Sequence, residues 1–220
     1  MRRLAFVAIL SLFAATSDAS LILVTDRSLL QEDDSIAWST FGGDLTPLPS
    51  PFNATTAQGV GFTLDGSSAF TLFSGATYNS DFLPSDTVVS NFDLDEVRGV
   101  IGGIRIVFLL PYSGGGAQIQ GNEFGPFNAT LEAFGLGGVS LGSFSINGTN
   151  NGSGDGSAPF LGVQSTGLDI YGLEFTLGPA MAINHVTLSA EETTVVPEPS
   201  TGALLVLGAG LLAAARRARA

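Results

Sequence analysis

Acidic side chains are the residues of this sequence whose spacing first suggests chemistry. Asp93 and Asp95 flank one leucine, so on a strand both carboxylates lie on the same face. Asp155 lies in the most polar stretch of the chain, 147–157, which is rich in asparagine and glycine. Hard oxygen ligands suit calcium, so these three aspartates are the candidate metal ligands. The alternative is a solvated turn at each place, and we prefer it for Asp93 and Asp95, because no complete ligand set is visible.

Catalytic chemistry finds less support. The chain has no cysteine and a single histidine, His185, which excludes cysteine nucleophiles, zinc–thiolate sites and multi-histidine metal sites. No Gly-x-Ser-x-Gly motif accompanies His185, so we interpret it as a structural residue on a strand. Glu123, Glu132 and Glu174 could supply a carboxylate pair for glycoside hydrolysis, a role that depends on their separation in space. We predict that the protein is not an enzyme.

Two aromatic residues and one glycine-rich segment are candidates for contact with sugars. Trp38 and Tyr78 are amphipathic rings that can stack on sugar rings, although a single tryptophan on a strand more often lies in the core. Residues 112–123 contain three consecutive glycines and several polar amides, which predicts a flexible surface loop, with a sugar-facing loop as the alternative. Phosphate binding is disfavoured there, because the lysine of a P-loop is missing.

The distribution of charge limits the partners. The formal net charge is −12, and five of the eight arginines lie at the two ends of the chain. Residues 20–196 therefore carry 18 acidic residues against Arg27, Arg98 and Arg105. Such an acidic body repels phosphate backbones, which argues against nucleic-acid binding, and it keeps an exported protein soluble.

Residues 20–190 must position these side chains, and their pattern predicts one all-β domain. In the run 104–108, Ile104, Ile106 and Phe108 share one face of a strand. Long amphipathic helices are missing, and only 28–32 indicates a short turn, so a parallel α/β fold lacks its crossover helices. The pattern favours an antiparallel β-sandwich or jelly roll. The predicted strands lie in 21–25, 35–41, 59–64, 69–73, 87–92, 100–110, 127–134, 139–146, 159–164, 170–177 and 183–189.

Residues 1–19 have the features of a secretory signal peptide. Arg2 and Arg3 form a positive n-region, and residues 4–15 form an apolar helix that is too short to span a bilayer comfortably. Small residues at Ser17 and Ala19 predict cleavage after Ala19.

The other end of the chain combines three features in a fixed order. A polar linker, 191–196, leads into 197–220, which contains a proline-rich motif, an apolar run over 202–215 and a terminal arginine cluster. As a helix the apolar run would rise only about 21 Å, short for a hydrocarbon core of about 30 Å. Arg216, Arg217 and Arg219 fit a cytoplasmic end. We interpret the run as a short, transient transmembrane helix, with a permanent tail anchor as the alternative.

This tail resembles the PEP-CTERM sorting signal, which is also labelled an ice-binding-protein C-terminal domain. The motif consists of Val196, Pro197, Glu198, Pro199 and Ser200. The resemblance implies export by a Gram-negative bacterium that makes exopolysaccharide. It also implies processing by exosortase, a membrane transpeptidase that cleaves near the motif. By that resemblance the motif is a recognition element and not an active site.

The domain itself is similar to β-sandwich domains that often precede such tails. The passages 154–163, 170–175 and 183–188 carry this likeness, which is one of strand pattern. Those sandwiches are similar to carbohydrate-binding modules. We therefore expect an exported envelope or extracellular-matrix protein with a structural or adhesive role, associated with exopolysaccharide or matrix proteins and without a cofactor. A calcium-dependent carbohydrate-binding module and a secreted hydrolase are the alternatives.

Overall fold

The computed structural model describes residues 20–66, 70–91, 102–177 and 180–190. The predicted signal peptide, the linker and the sorting tail lie outside these residues, and so do Asp93 and Asp95. Within the described part, no helix has the length and apolar character needed to cross a membrane. The described residues form antiparallel β-sheets, which confirms the predicted all-β class.

The described residues contain fifteen strands and three short 3₁₀ turns. The turns are Arg27–Leu29, Trp38–Thr40 and Leu136–Gly138. The strands are β1 Leu21–Val24, β2 Asp34–Ile36, β3 Thr46–Leu48, β4 Phe52–Thr55, β5 Gly61–Asp65, β6 Phe70–Ser74, β7 Thr87–Ser90, β8 Ile104–Tyr112, β9 Gly114–Gly121, β10 Gly125–Phe134, β11 Ser140–Asn150, β12 Phe160–Ser165, β13 Ile170–Thr176, β14 Met181–Ile183 and β15 Val186–Ser189.

The strands are arranged in two sheets. The larger sheet has the order β1-β12-β9-β14-β7-β6-β3, with β15 bridging β9 and β2. The smaller sheet has the order β11-β10-β13-β8-β5-β4. One cluster of buried side chains draws on both sheets, from Leu161 and Ile119 on one to Leu131 and Ile106 on the other. The inward residues of both sheets thus share a core, as in a sandwich.

Alternation along the smaller sheet separates its two faces. On β10, Leu131 and Ala133 are buried, whereas Thr130, which precedes them, and Glu132, which lies between them, are partly exposed. On β8, Ile104 and Ile106 are buried on either side of Arg105, as the sequence predicts. Successive side chains of a strand point to opposite faces of the sheet. The partly exposed residues of neighbouring strands therefore form one continuous solvent-facing surface.

The prediction of a flexible loop over 112–123 is wrong. Gly114–Gly121 is strand β9, which lies in the middle of the larger sheet between β12 on one side and β14 and β15 on the other. Its glycines allow a close approach of backbones: a Cβ added to Gly116 would lie 2.5 Å from the Cα of Gly162 on β12. Glycine occurs in β9 because the neighbouring backbones pack closely there, and not because the segment is flexible.

The N-terminal part also departs from the predicted strands. The run 35–41 is divided into β2 and the 3₁₀ turn at Trp38–Thr40. Strands β3 and β4 were not predicted, because Pro47 lies within one and Pro51 directly precedes the other. β4 is an edge strand and β3 ends its sheet, where strands tolerate proline better than at the centre.

Candidate functional site

The solvent-facing side of the smaller sheet, which we call the outer polar face, gathers most of the polar side chains of that sheet. Its members come from five neighbouring strands, β5, β8, β13, β10 and β11. None of them is buried. They include Thr63, Asp65, Arg105, Val107, Asn128, Thr130, Glu132, Phe134, Ser143, Ser145, Asn147, Glu174 and Thr176.

Amide and hydroxyl groups form cross-strand pairs on one half of this face. Asn128 Nδ2 donates to Asn147 Oδ1 at 3.1 Å, and the hydroxyls of Thr130 and Ser145 lie 2.8 Å apart. A shallow depression of about 450 Å³ is lined by residues 126–128 and 147–149. Asn128 Nδ2 also donates to the carbonyl of Ile146 at 3.2 Å, so both of its N–H groups are used, whereas amide and hydroxyl oxygens can accept more than one hydrogen bond. These side chains are exposed or partly exposed, so their oxygens can accept hydrogen bonds from the hydroxyl groups of a ligand.

A row of charged residues crosses the centre of the face. Glu132 on β10 is the direct register partner of Glu174 on β13, and Glu174 is in turn the partner of Arg105 on β8. Asp65 on β5 continues the row beyond Arg105. The structure thus brings together two of the three glutamates that the sequence singled out. Glu123 lies apart from them, exposed in the connection between β9 and β10.

Arg105 extends along the sheet to an aromatic ring. Its guanidinium carbon lies 4.4 Å from the centroid of the Phe134 ring, in the range of a cation–π contact. A cavity of about 310 Å³ adjoins this pair, with Tyr171 and the loop 135–138 on its walls. Within the described ranges, the buried Nε of Arg105 has no hydrogen-bond partner. The cavity therefore combines a cation with an aromatic face.

Two glycines let the loop 135–138 form one wall of this cavity. Gly137 and Gly138 have φ angles of 73° and 78°, a left-handed conformation that favours glycine. A Cβ on Gly138 would lie 3.4 Å from Nη2 of Arg105, so the turn passes directly beside the guanidinium. This turn was part of no predicted site, because only the fold brings it next to β8.

The stretch 147–157 is held in place by a carboxylate that sequence reasoning missed. Asp81 is buried, and its Oδ1 accepts the backbone N–H of Ser153 at 2.7 Å and the Ser153 hydroxyl at 3.0 Å. Its Oδ2 accepts Nε2 of Gln120 at 2.9 Å and the N–H of Asn151 at 3.2 Å. Burial raises the pKa of Asp81, but these hydrogen bonds outweigh it and hold the pKa below its usual value.

Asp155, the described member of the candidate calcium ligands, is exposed in the same loop. Its Oδ1 accepts the N–H of Ser157 at 3.0 Å, and hydrogen bonds from Ser157 and Ser153 lower its pKa. Among the residues that the structure describes, no three acidic or histidine side chains are grouped so that they could hold a metal ion. Because Asp93 and Asp95 lie outside those residues, calcium binding stays a prediction.

A second buried carboxylate, Asp34, also went unpredicted. It accepts hydrogen bonds from the hydroxyls of Thr56 at 2.5 Å and Tyr112 at 2.6 Å, and from the N–H of Gln58 at 2.9 Å. Burial raises the pKa of Asp34, and the hydrogen bonds lower it further than burial raises it. Like Asp81, Asp34 stabilises the fold, because its partners are distant in sequence and meet only at the carboxylate. No sequence spacing indicates either role.

The aromatic candidates for sugar stacking belong to the interior. Trp38 is 1% exposed, and its Nε1 donates to the carbonyl of Asn184 at 2.9 Å. Tyr78 is 3% exposed, and its hydroxyl donates to the carbonyl of Ala180. Neither ring is accessible to a sugar, so the core alternative given for Trp38 is correct and Tyr78 is buried as well.

His185 lies in the connection between β14 and β15 and not on a strand as predicted, because the predicted strand 183–189 is divided there, and its ring contacts Glu32. Its Nε2 lies 3.1 Å from Oε1 of Glu32, which also accepts the hydroxyl of Thr187 through Oε2 at 3.1 Å. Beside it, Arg27 donates to Oδ1 of Asn184 at 2.9 Å and to the carbonyl of His185 at 3.1 Å. These contacts join the first 3₁₀ turn to the connection between β14 and β15.

Comparisons with known proteins add one functional finding. The family model described as the PEP-CTERM protein-sorting motif matches residues 195–220. No curated protein sequence matches the chain. A solved structure of a DUF4465 family protein from Bacteroides caccae is similar over 75% of this chain and 99% of its own, with 12% identity and a TM-score of 0.27.

The sorting motif establishes how the protein travels. A PEP-CTERM signal directs export to the cell envelope or surface and processing by exosortase. The sandwich described above is the part that such a protein presents outside the cytoplasm. The chain is therefore an exported protein that carries a PEP-CTERM sorting signal at its C-terminal end.

Proposed function

We propose that the exported domain is a non-catalytic module that adheres to polysaccharide of the envelope or extracellular matrix through its outer polar face. The observation that supports this most directly is the set of hydroxyl and amide pairs at Asn128–Asn147 and Thr130–Ser145 on an open sheet. Polysaccharides present many hydroxyl groups along an extended chain. A flat face with repeated donors and acceptors suits such a ligand.

The Arg105 cavity is the second part of the proposed surface. A guanidinium held against an aromatic ring presents planar donors, which suit ring oxygens and carboxylates of sugars. Arg105 is one of only three arginines in residues 20–196, so it is also a rare positive centre on an acidic body. We place the ligand across both parts, from the amide and hydroxyl pairs to the cavity beside Phe134.

We propose further that binding needs no metal ion. The amide and hydroxyl groups of the outer polar face can contact a polysaccharide directly, without a bridging metal ion. The Asp155 carboxylate accepts a hydrogen bond from Ser157 of its own loop. A calcium-dependent module is the competing function, and the test below includes it.

The tail is proposed to anchor the chain in the inner membrane only until exosortase acts. Intact mass spectrometry of the exported protein tests this directly. A product that ends before the apolar run 202–215 supports transient anchoring, whereas a product that retains residues 202–220 contradicts it.

Binding of the exported protein to a polysaccharide panel that includes the host matrix tests the proposed function. The assay is run with calcium and with a chelator. Binding in both conditions supports the proposal, whereas binding only with calcium favours the competing module. No binding to any polysaccharide overturns the adhesive role.

A matched pair of variants locates the binding surface. Asn128→Ala removes an amide from the outer polar face and should weaken binding between about twofold and tenfold. Asn79→Ala removes an exposed asparagine that lies off this face and should leave binding unchanged. Equal effects of the two variants would place the ligand elsewhere.

A further inference from the structure

Strand β11 is an open sheet edge of unusual length. It runs over Ser140–Asn150, eleven residues, and within the described part of the chain it pairs only with β10. Natural sheets usually protect such edges with charged residues, prolines or bulges. A register shift near Gly142 disturbs one end of β11, but residues 143–150 stay in regular register with β10. Among the described residues, the side of 143–150 that faces away from β10 therefore has no partner strand for its backbone donors and acceptors.

The sequence around this edge carries no charge. No aspartate, glutamate, lysine, arginine or proline occurs between Glu132 and Asp155. The rest of residues 20–196 has a large excess of acidic groups, which repel a second copy of the same protein. The β11 side is thus a place where two copies can approach without bringing like charges together.

Apolar side chains are exposed on the same side of the sandwich. Val139 is 65% exposed and Leu136 is 73% exposed, both in the turn that leads into β11. Leu21 of β1 lies against Gly142, with Cδ2 3.4 Å from the position of an added Cβ, and Ile22 next to it is 55% exposed. Pairing at β11 would remove part of this apolar surface from water.

We propose that β11 pairs antiparallel with β11 of a second copy, about a two-fold axis at Ser145. This register sets Phe144 opposite Ile146 and Ser143 opposite Asn147 of the other copy. Residues that face each other then belong to the same side of the sheet, so the inward Phe144 and Ile146 extend both cores and the outward Ser143 and Asn147 extend both outer polar faces.

The contact is self-complementary, so it closes as a dimer and does not propagate into a filament. Two copies of the outer polar face would lie side by side on one continuous sheet. The dimer does not depend on the proposed function, because its argument uses only the edge, its charge and its apolar surroundings.

Sedimentation of the exported protein over a range of concentrations tests the association. The wild type should form dimers between about 1 and 100 µM. Ser145→Lys places like charges opposite each other at the axis and should raise the dissociation constant at least about fivefold. Asn53→Lys makes the same change of charge on β4, the opposite edge of the sheet, and should leave the dimer intact. A monomeric wild type, or equal effects of the two variants, overturns the proposal.

A mixture of charge variants tests the register and guards against misfolding. Ser145→Lys and Ser145→Glu should each be weakened as separate proteins, and an equimolar mixture should restore dimers through opposite charges at the axis. Failure of the mixture to associate, with both variants folded by circular dichroism, contradicts the register centred on Ser145.

The absence of cysteine from the sequence permits a covalent test. Cα atoms of directly opposed residues in antiparallel strands lie about 4.5–5.5 Å apart, within the range that a disulfide spans. Ser145→Cys should therefore form a disulfide-linked dimer when oxidised by copper(II)–phenanthroline, since each thiol releases its proton to water and gives one electron to copper(II) as the S–S bond forms. Asn53→Cys is the matched control and should stay monomeric under the same conditions. Equal cross-linking of both variants overturns the proposal.

Discussion

Glu132 lies directly opposite Glu174 on neighbouring strands of the outer polar face. Two carboxylates in this relation repel each other, and only Glu174 has an arginine, Arg105, as its partner on the other side. A repulsive pair at the centre of a solvent-facing sheet is a local cost in stability. A glycoside hydrolase also uses a pair of carboxyl groups. This pair is therefore the place where the hydrolytic alternative to the adhesive function can be tested.

The first prediction concerns this pair. Glu132→Gln should raise the free energy of unfolding by about 0.2–1 kcal/mol at neutral pH, because it removes the repulsion and leaves Glu174 with Arg105. Urea denaturation measures the change, and Glu123→Gln, at an exposed glutamate outside the pair, should have no effect. A destabilised Glu132→Gln variant would contradict the prediction.

Release of reducing sugars from the polysaccharide panel by the wild type would contradict the non-catalytic role.

The second prediction concerns Arg105. Arg105→Lys keeps the charge but loses the planar group over Phe134, so polysaccharide binding should weaken about fivefold. Glycan microarray or isothermal titration measures the change. Arg27→Lys is the matched control, because Arg27 lies 5.4 Å from the ring of Phe160 on the other sheet. If the Arg27 variant weakens binding as much as the Arg105 variant, the cavity is not part of the binding surface.

The third prediction concerns Asp81 and pH. Its folded pKa lies below the unfolded value of about 3.9, so its contribution to stability is complete above that value and is lost as the pH falls through the folded pKa. Asp81→Asn should cost about 1–3 kcal/mol at pH 7, because buried donors lose an acceptor. It should also flatten the decline in stability below about pH 4.

Thermal unfolding across pH 2–7 checks this expectation. Asp155→Asn is the control in the same loop, because Asp155 is exposed and holds one backbone N–H. It should change the melting temperature much less than Asp81→Asn does. Parallel pH profiles of the wild type and Asp81→Asn would show that Asp81 does not anchor the loop.

The fourth prediction concerns the central glycines. Gly116→Ala places a methyl group 2.5 Å from the Cα of Gly162, so β9 and β12 must separate, at a cost of about 1–3 kcal/mol. Gly43→Ala introduces the same methyl group where no atom lies within 4 Å, and it should leave the urea midpoint nearly unchanged. Equal midpoints for both variants would mean that the strands adjust without strain.

Sequence patterns predicted the fold class well and individual elements unevenly. Alternation in 104–108 correctly assigned Ile104 and Ile106 to the core and left Arg105 outside. The same approach failed at Gly114–Gly121, because a run of glycines is typical of a loop. Its position in the middle of a sheet depends on the matching glycine, Gly162, of a strand far along the chain.

The candidate site was likewise predicted only in part from the sequence. Glu132 and Glu174 were recognised as carboxylates of interest, but no spacing along the chain indicates that they are neighbours. Asp81 and Asp34 were not recognised at all, since a buried carboxylate is defined by donors that converge from other segments. Trp38 and Tyr78 had the right chemistry for sugar stacking and the wrong location.

The route of export is encoded in the linear sequence of the tail. A sorting motif is a short linear segment that the processing machinery recognises by its sequence, so the order of residues 195–220 carries this information. The surfaces that the exported domain presents to its surroundings depend instead on how its strands pack in three dimensions. Strand register placed Glu132 beside Glu174 and left β11 at an edge, because contacts between distant segments depend on the packing of the whole core.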